Sequence, residues 1–171
     1  MPTVVVPFRH GKTRLALPPA ERAEVELSLL ARVLAAAVPV GRTLLVTDDR
    51  MLARRFGVEH VADPGSGQGA AVAAGLALTR ETPALVVNAD LPLATPDDLE
   101  RLAAAAPALV AATDGTTNAL ALGDPASFRD LYGPGSACRY QALGFRPVDL
   151  QRLAFDVDTV ADLEAAGGLV A

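Results

Sequence analysis

A chain of 171 residues, 51% apolar and 20% charged, is long and apolar enough for a substantial core and is not of disordered composition. Its net charge of −5 excludes a broadly basic nucleic-acid face, and a lone cysteine, Cys138, excludes intrachain disulfides and cysteine-based zinc sites. With no tryptophan and 4% aromatics, the core is expected to be aliphatic.

Thr3–Val6 is a short β-branched run and predicts a strand, followed by the loop PFRHGKTRL. Pro19–Val38 carries Val25, Leu27, Leu30, Leu34 and Val38 near helical spacing. Thr43–Thr47 predicts a buried strand, Asp49–Phe56 a helix stopped by Gly57, and Val58–Ala62 a strand. The turn-rich DPGSGQG leads into a helix over Ala70–Arg80, and Ala84–Asn88 is a strand running to Asp90. In TPDDLERLAAA, Thr95 can cap, Pro96 takes the first helical position and Asp98 completes a capping box. Leu109–Thr113 and Asn118–Leu122 are strands around DGTT, and Pro125–Leu131 is expected to be helical. YGPGSACRYQALG is a glycine-rich turn into a helix, Phe145–Val148 and Leu153–Val157 are short strands, and Thr159 with Asp162 caps a last helix closed by Gly167.

Alternating strands and helices without a linker or repeat predict one α/β domain over residues 1–171, with a mostly parallel sheet and helices on both faces. Such sheets bind ligands at the carboxyl ends of their strands, so the polar loops there are the candidate site. The N-terminus has no charged-then-apolar leader pattern and no apolar run reaches about 18 residues, so a cytoplasmic protein without membrane contact is expected.

The first loop places Arg9, Lys12 and Arg14 between a strand and a helix; Lys12 is the only lysine beside fourteen arginines. GKT is not a P-loop, because Val6 stands where that motif requires glycine. Three cations and several backbone N–H groups suit a polyanion such as a triphosphate; a solvated basic loop is the plain alternative. In the second loop Gly65, Gly67 and Gly69 either let the backbone approach a ligand closely or simply form a turn. LVVNADLPL carries Asp90 off the end of a strand, and Asp156 and Asp158, two apart, face one side of an extended segment. Together these three carboxylates suit an oxygen-seeking metal such as magnesium, whereas singly each reads as a turn or a solvated edge. GPGS, Gly133 to Ser136, and Thr116 to Asn118 offer small neutral donors, or ordinary turns. A site poor in histidine fits nucleotidyl transfer, where a phosphate or carboxylate oxygen attacks without a general base.

In order along the chain, GKTRL, NADLPL, GTTNAL, YGPGSACRYQA and FDVDTVADL resemble the 2-phospho-L-lactate guanylyltransferase family, also called phosphoenolpyruvate guanylyltransferase, of coenzyme F-420 biosynthesis, within the MobA-like nucleotidyltransferases. The resemblance spans nearly the whole chain; TNAL followed by GPGS-x-x-R is its most specific part. It implies a Rossmann-like nucleotidyltransferase fold with a mixed, mostly parallel sheet. It implies transfer from GTP to a small phosphorylated acid, namely phosphoenolpyruvate, 2-phospho-L-lactate or 3-phosphoglycerate, with release of pyrophosphate, and a downstream phosphotransferase that consumes the product. On this resemblance Arg9, Lys12 and Arg14 hold the triphosphate, and Lys12 and Arg14 stabilise the departing pyrophosphate. Asp90 holds magnesium with Asp156 and Asp158, and Gly67, Gln68 and Gly69 lie on the nucleotide. Thr117, Gly133 and Ser136 bind the acid. The chain departs from the family in a shorter first loop, in GQG (Gly67–Gly69) where GLN is usual, and in Tyr140 where histidine is common. A relative acting on molybdopterin or a sugar phosphate, and a catalytically silent nucleotide-binding module, are the alternative readings.

Overall fold

The computed structural model describes residues 1–11 and 14–167. β1 (Thr3–Pro7) is central: Val4 and Val6 face one side, Val5 the other, and all three are buried. A strand covered on both faces needs no polar alternation, which is why its sequence is continuously apolar. It pairs in parallel with β2 (Arg42–Thr47) and with β4 (Ala84–Val87), and β2 pairs in parallel with β3 (Glu59–Ala62). β6 (Thr117–Leu122) runs antiparallel to both β4 and β5 (Ala108–Ala111), and β7 (Arg146–Pro147) is parallel to β5. The sheet order is β3-β2-β1-β4-β6-β5-β7, a mixed, mostly parallel sheet.

One face is covered by α1 (Pro19–Ala37), α2 (Arg50–Phe56), α4 (Pro96–Ala104) and α6 (Gln151–Ala154), which pack Leu30, Val33, Leu52, Leu99 and Leu153 against Val4, Val6 and Leu45. The other face carries α3 (Gln68–Leu76) and α5 (Ser136–Ala142), with Val72, Leu76 and Tyr140 against Val5, Leu44 and Val46. Gly75 lets α3 lie close on the sheet, because a Cβ there would run into Val5. Among the described residues no helix is long and apolar enough to cross a membrane.

Two expected elements are absent. Over residues 125–131 only a 3-10 turn forms, Pro125–Ser127, capped by Asp124 through the N–H of Ala126 at 2.9 Å. Phe128 then leaves at ψ 137°, and the Tyr140 hydroxyl donates to the Arg129 carbonyl at 2.8 Å, meeting a backbone acceptor that a helix would otherwise have used. Residues 153–157 form no strand. Leu153 and Ala154 end the short α6, and the following segment crosses the strand ends, with the Val157 N–H donating to the Asp90 carbonyl at 3.1 Å. α7 (Val160–Ala165) has the expected capping box of Thr159 and Asp162.

Candidate active site

A small apolar cluster assembles the site. Leu15 from the first loop, Leu29 from α1 and Val157 from the C-terminal crossing segment are all buried together. Burying Leu15 against Val157 brings their chain neighbours Arg14 and Asp158 face to face, and the guanidinium donates to Asp158 Oδ2 at 2.6 Å. The Val157–Asp90 backbone bond brings the same segment to the end of β4. As a result one carboxylate oxygen from each of Asp90, Asp156 and Asp158 lies within 4.8 Å of the others, all three half-buried.

Three anionic groups this close repel one another unless cations or donors sit among them. Arg14 supplies one positive charge and the Asn118 amide another contact, donating to Asp156 Oδ1 at 3.2 Å and to the Leu153 carbonyl at 3.1 Å. The convergence of hard oxygen donors at the carboxyl end of a parallel strand is a fit donor set for a divalent cation.

Beside the cluster lies a cavity of about 250 Å³ between the first loop, α1 and the start of α3; Phe8, Arg9, Glu26, Asp63, Gln68 and Asp90 are among its lining residues. Arg9 closes one side by donating to Asp63 Oδ2 from Nε at 3.2 Å and from a terminal nitrogen at 2.8 Å. Glu26, with its side chain only 4% exposed, accepts from the His10 ring at 2.7 Å and from the Gly11 N–H at 3.0 Å, tying the first loop to α1. Gln68 opens α3 and donates from Nε2 to Asn88 Oδ1 at 2.8 Å. At Gly69 the exposed Asp130 carboxylate takes the space that a Cβ would occupy, so a side chain at 69 would have to displace it.

On the other flank, β6 lies next to β4, so its first residues emerge beside Asn88. Asn88 donates from Nδ2 to the Thr117 carbonyl at 3.2 Å and from its backbone to Asn118 at 3.0 Å. The Thr117 and Ser136 hydroxyls bond each other at 2.9 Å, both buried, with Gly133 in the preceding turn at φ 107°. Thr116 holds the Asp114 carboxyl below its ordinary range through its hydroxyl and N–H, and the charge of Arg14 acts in the same direction. Tyr140 is fully buried, its hydroxyl pushed up to about 12 by burial and placed on the backbone of the 129–131 segment, so this position is a core and loop support.

Arg9, Gly67, Gln68 and Asp90 therefore line one cavity, Asp156, Asp158 and Arg14 join it through Asp90, and the Thr117–Ser136 pair lies beyond Asn88. Lys12 lies outside the described residues. The sequence names Asn118 only as one of the small donors over Thr116 to Asn118, and it does not single out Glu26 or Asp63. Glu26 did carry a signal: with Leu29, Leu30 and Val33 it falls on the apolar face of α1, where a carboxylate needs a partner. Asp63 had none, and the contact of Asn118 with Asp156 had none either, since the partners lie 54 and 38 residues apart.

These features define the class, and residues 9–167 match the family model of the MobA-like NTP transferase domain. A nucleotidyl transferase from Methanothermobacter shares the fold at a TM-score of 0.69 and 16% identity, over 96% of this chain and 95% of that one. The chain is 39% identical to a phosphoenolpyruvate guanylyltransferase of Sphaerobacter thermophilus, over 96% of its own length and 91% of the relative's. It is 38% identical to a 2-phospho-L-lactate guanylyltransferase of Haloferax volcanii, over 94% and 82% of the two chains. The chain belongs to the phosphoenolpyruvate and 2-phospho-L-lactate guanylyltransferase family.

Proposed function

We propose that the chain acts as one cytoplasmic nucleotidyltransferase domain that joins GMP from GTP to phosphoenolpyruvate or 2-phospho-L-lactate, with 3-phosphoglycerate as a third candidate, in coenzyme F-420 biosynthesis. The observation that carries this reading is the convergence of Asp90, Asp156 and Asp158 within 4.8 Å beside the cavity, in a chain of this family. Magnesium held by these three carboxylates would neutralise charge on the reacting phosphates.

The chain's own groups do the positioning. The cavity between the first loop and α3 takes the nucleoside, with Gly67, Gln68 and Gly69 along it. Arg9, Lys12 and Arg14 take the triphosphate. For Arg9 and Arg14 this means exchanging Asp63 and Asp158 for phosphate oxygens. A phosphate oxygen of the acid attacks the α-phosphorus, the bond to the bridging oxygen breaks, and pyrophosphate leaves with its charge met by Lys12 and Arg14. The attacking oxygen carries no proton, so no general base is used. Thr117, Gly133 and Ser136 take the acid; the Thr117–Ser136 bond uses one hydroxyl proton and leaves the other to donate. The product, a guanylylated acid anhydride, passes to a phosphotransferase. The test is pyrophosphate release from GTP and magnesium with each acid in turn.

A further inference from the structure

We propose that Gln68 and Asn88 together read the ribose hydroxyls of the bound nucleotide, so that this chain selects a ribonucleotide through a paired amide. This rests on the nucleotidyl-transfer reading above and specifies a contact within the same site.

The hydrogen-bond network fixes how both amides point. Asn88 gives an Nδ2 proton to the Thr117 carbonyl, and its backbone N–H is taken by the Asn118 carbonyl. With Nδ2 turned to Thr117, Oδ1 is the atom left to accept, and it accepts from Gln68 Nε2 at 2.8 Å. Gln68 is thereby also oriented: Nε2 faces Asn88, and Oε1 is the acceptor that this cavity-lining side chain retains. The pair thus presents one carbonyl oxygen and the second protons of both amide nitrogens. A vicinal diol is the complementary group, because one hydroxyl can donate to Oε1 while its neighbour accepts an amide proton.

Position selects the sugar over the base. Asn88 is two residues from Asp90, so their Cα atoms are at most about 7 Å apart. Asp90 faces the α-phosphate in the proposed reaction, and the ribose is the next group along the nucleotide. The base then extends along Gly67 and Ala71, which line the same cavity. A leucine at position 68, as in the family's usual GLN, has no polar atom to offer here, so this contact belongs to the GQG form of the loop.

The test is calorimetric binding of GTP and dGTP, each with magnesium, to wild type and to Gln68→Leu. Wild type is expected to bind GTP about tenfold more tightly than dGTP, and Gln68→Leu, which removes neutral hydrogen bonds, to bind the two within about twofold. An unchanged GTP/dGTP ratio in Gln68→Leu overturns the proposal, as does a wild type that binds both equally or neither. The same samples are assayed for pyrophosphate release with the phosphorylated acids. A binding preference that depends on Gln68, with no turnover, contradicts the reaction and supports the ribose contact.

Discussion

Arg14 and Asp158 are 144 residues apart in sequence and 2.6 Å apart in space, joined because Leu15 and Val157 are buried in one cluster. The guanidinium therefore sits on a carboxylate of the proposed metal cluster while its side chain remains 69% exposed. An ion pair so open to water contributes little to stability, about 0–1 kcal/mol. In the proposed reaction its weight falls on catalysis, where the same guanidinium would meet the departing pyrophosphate.

Arg14→Ala is accordingly expected to leave the thermal midpoint within a few degrees of wild type and to lower turnover about 100-fold. Circular dichroism melts and the pyrophosphate assay measure the two effects. A loss of stability as large as the loss of rate would make Arg14 a structural residue.

Glu26 holds the first loop from beneath through His10 and Gly11. Glu26→Ala removes a buried acceptor for two donors and is expected to cost about 1–3 kcal/mol. Because the loop borders the cavity proposed for the nucleotide, the KM for GTP should rise more than kcat falls. Urea melts and steady-state kinetics measure both, and an unchanged KM would confine Glu26 to packing α1.

Asp98 predicts a pH dependence. Burial alone pushes its carboxyl up, but two hydrogen bonds from Arg152, at 2.7 and 2.9 Å, and those from Thr95 outweigh it and hold the carboxyl below its ordinary range. A depressed native pKa stabilises the fold above the unfolded value of about 3.9, and the effect is lost as pH falls through the native value. Wild type should therefore lose stability below about pH 4. Asp98→Asn should melt about 5 °C lower at neutral pH and lack that component of the acid decline. Melts from pH 7 to 3 test this, and parallel curves for the two proteins would refute it.

Much of the fold is legible in the sequence because its signals are local. Thr95 with Pro96 and Thr159 with Asp162 mark helix starts within four residues, and the apolar β1 run announces a strand buried on both faces. The three aspartates were legible as two motifs, Asp90 at the end of one apolar run and the pair Asp156 and Asp158 after another. What local pattern could not supply is the strand-like 153–157 segment leaving the sheet, since its apolar residues are satisfied by two clusters and its backbone by Asp90. The expected helix at 125–131 failed for a similar reason. Tyr140, in another element, takes up the Arg129 carbonyl. Likewise, the space beside Gly69 is taken by Asp130, 61 positions later, which no local pattern shows.

The central claim is transfer of GMP onto a small phosphorylated acid at the site built by Asp90. The most direct measurement incubates wild type and Asp90→Asn with GTP, magnesium and each of the three acids, with the downstream phosphotransferase present, and follows pyrophosphate. The account predicts release by wild type with at least one acid and a fall of at least about 100-fold in Asp90→Asn at unchanged fold. No release with any acid, or near wild-type rates in Asp90→Asn, would contradict it.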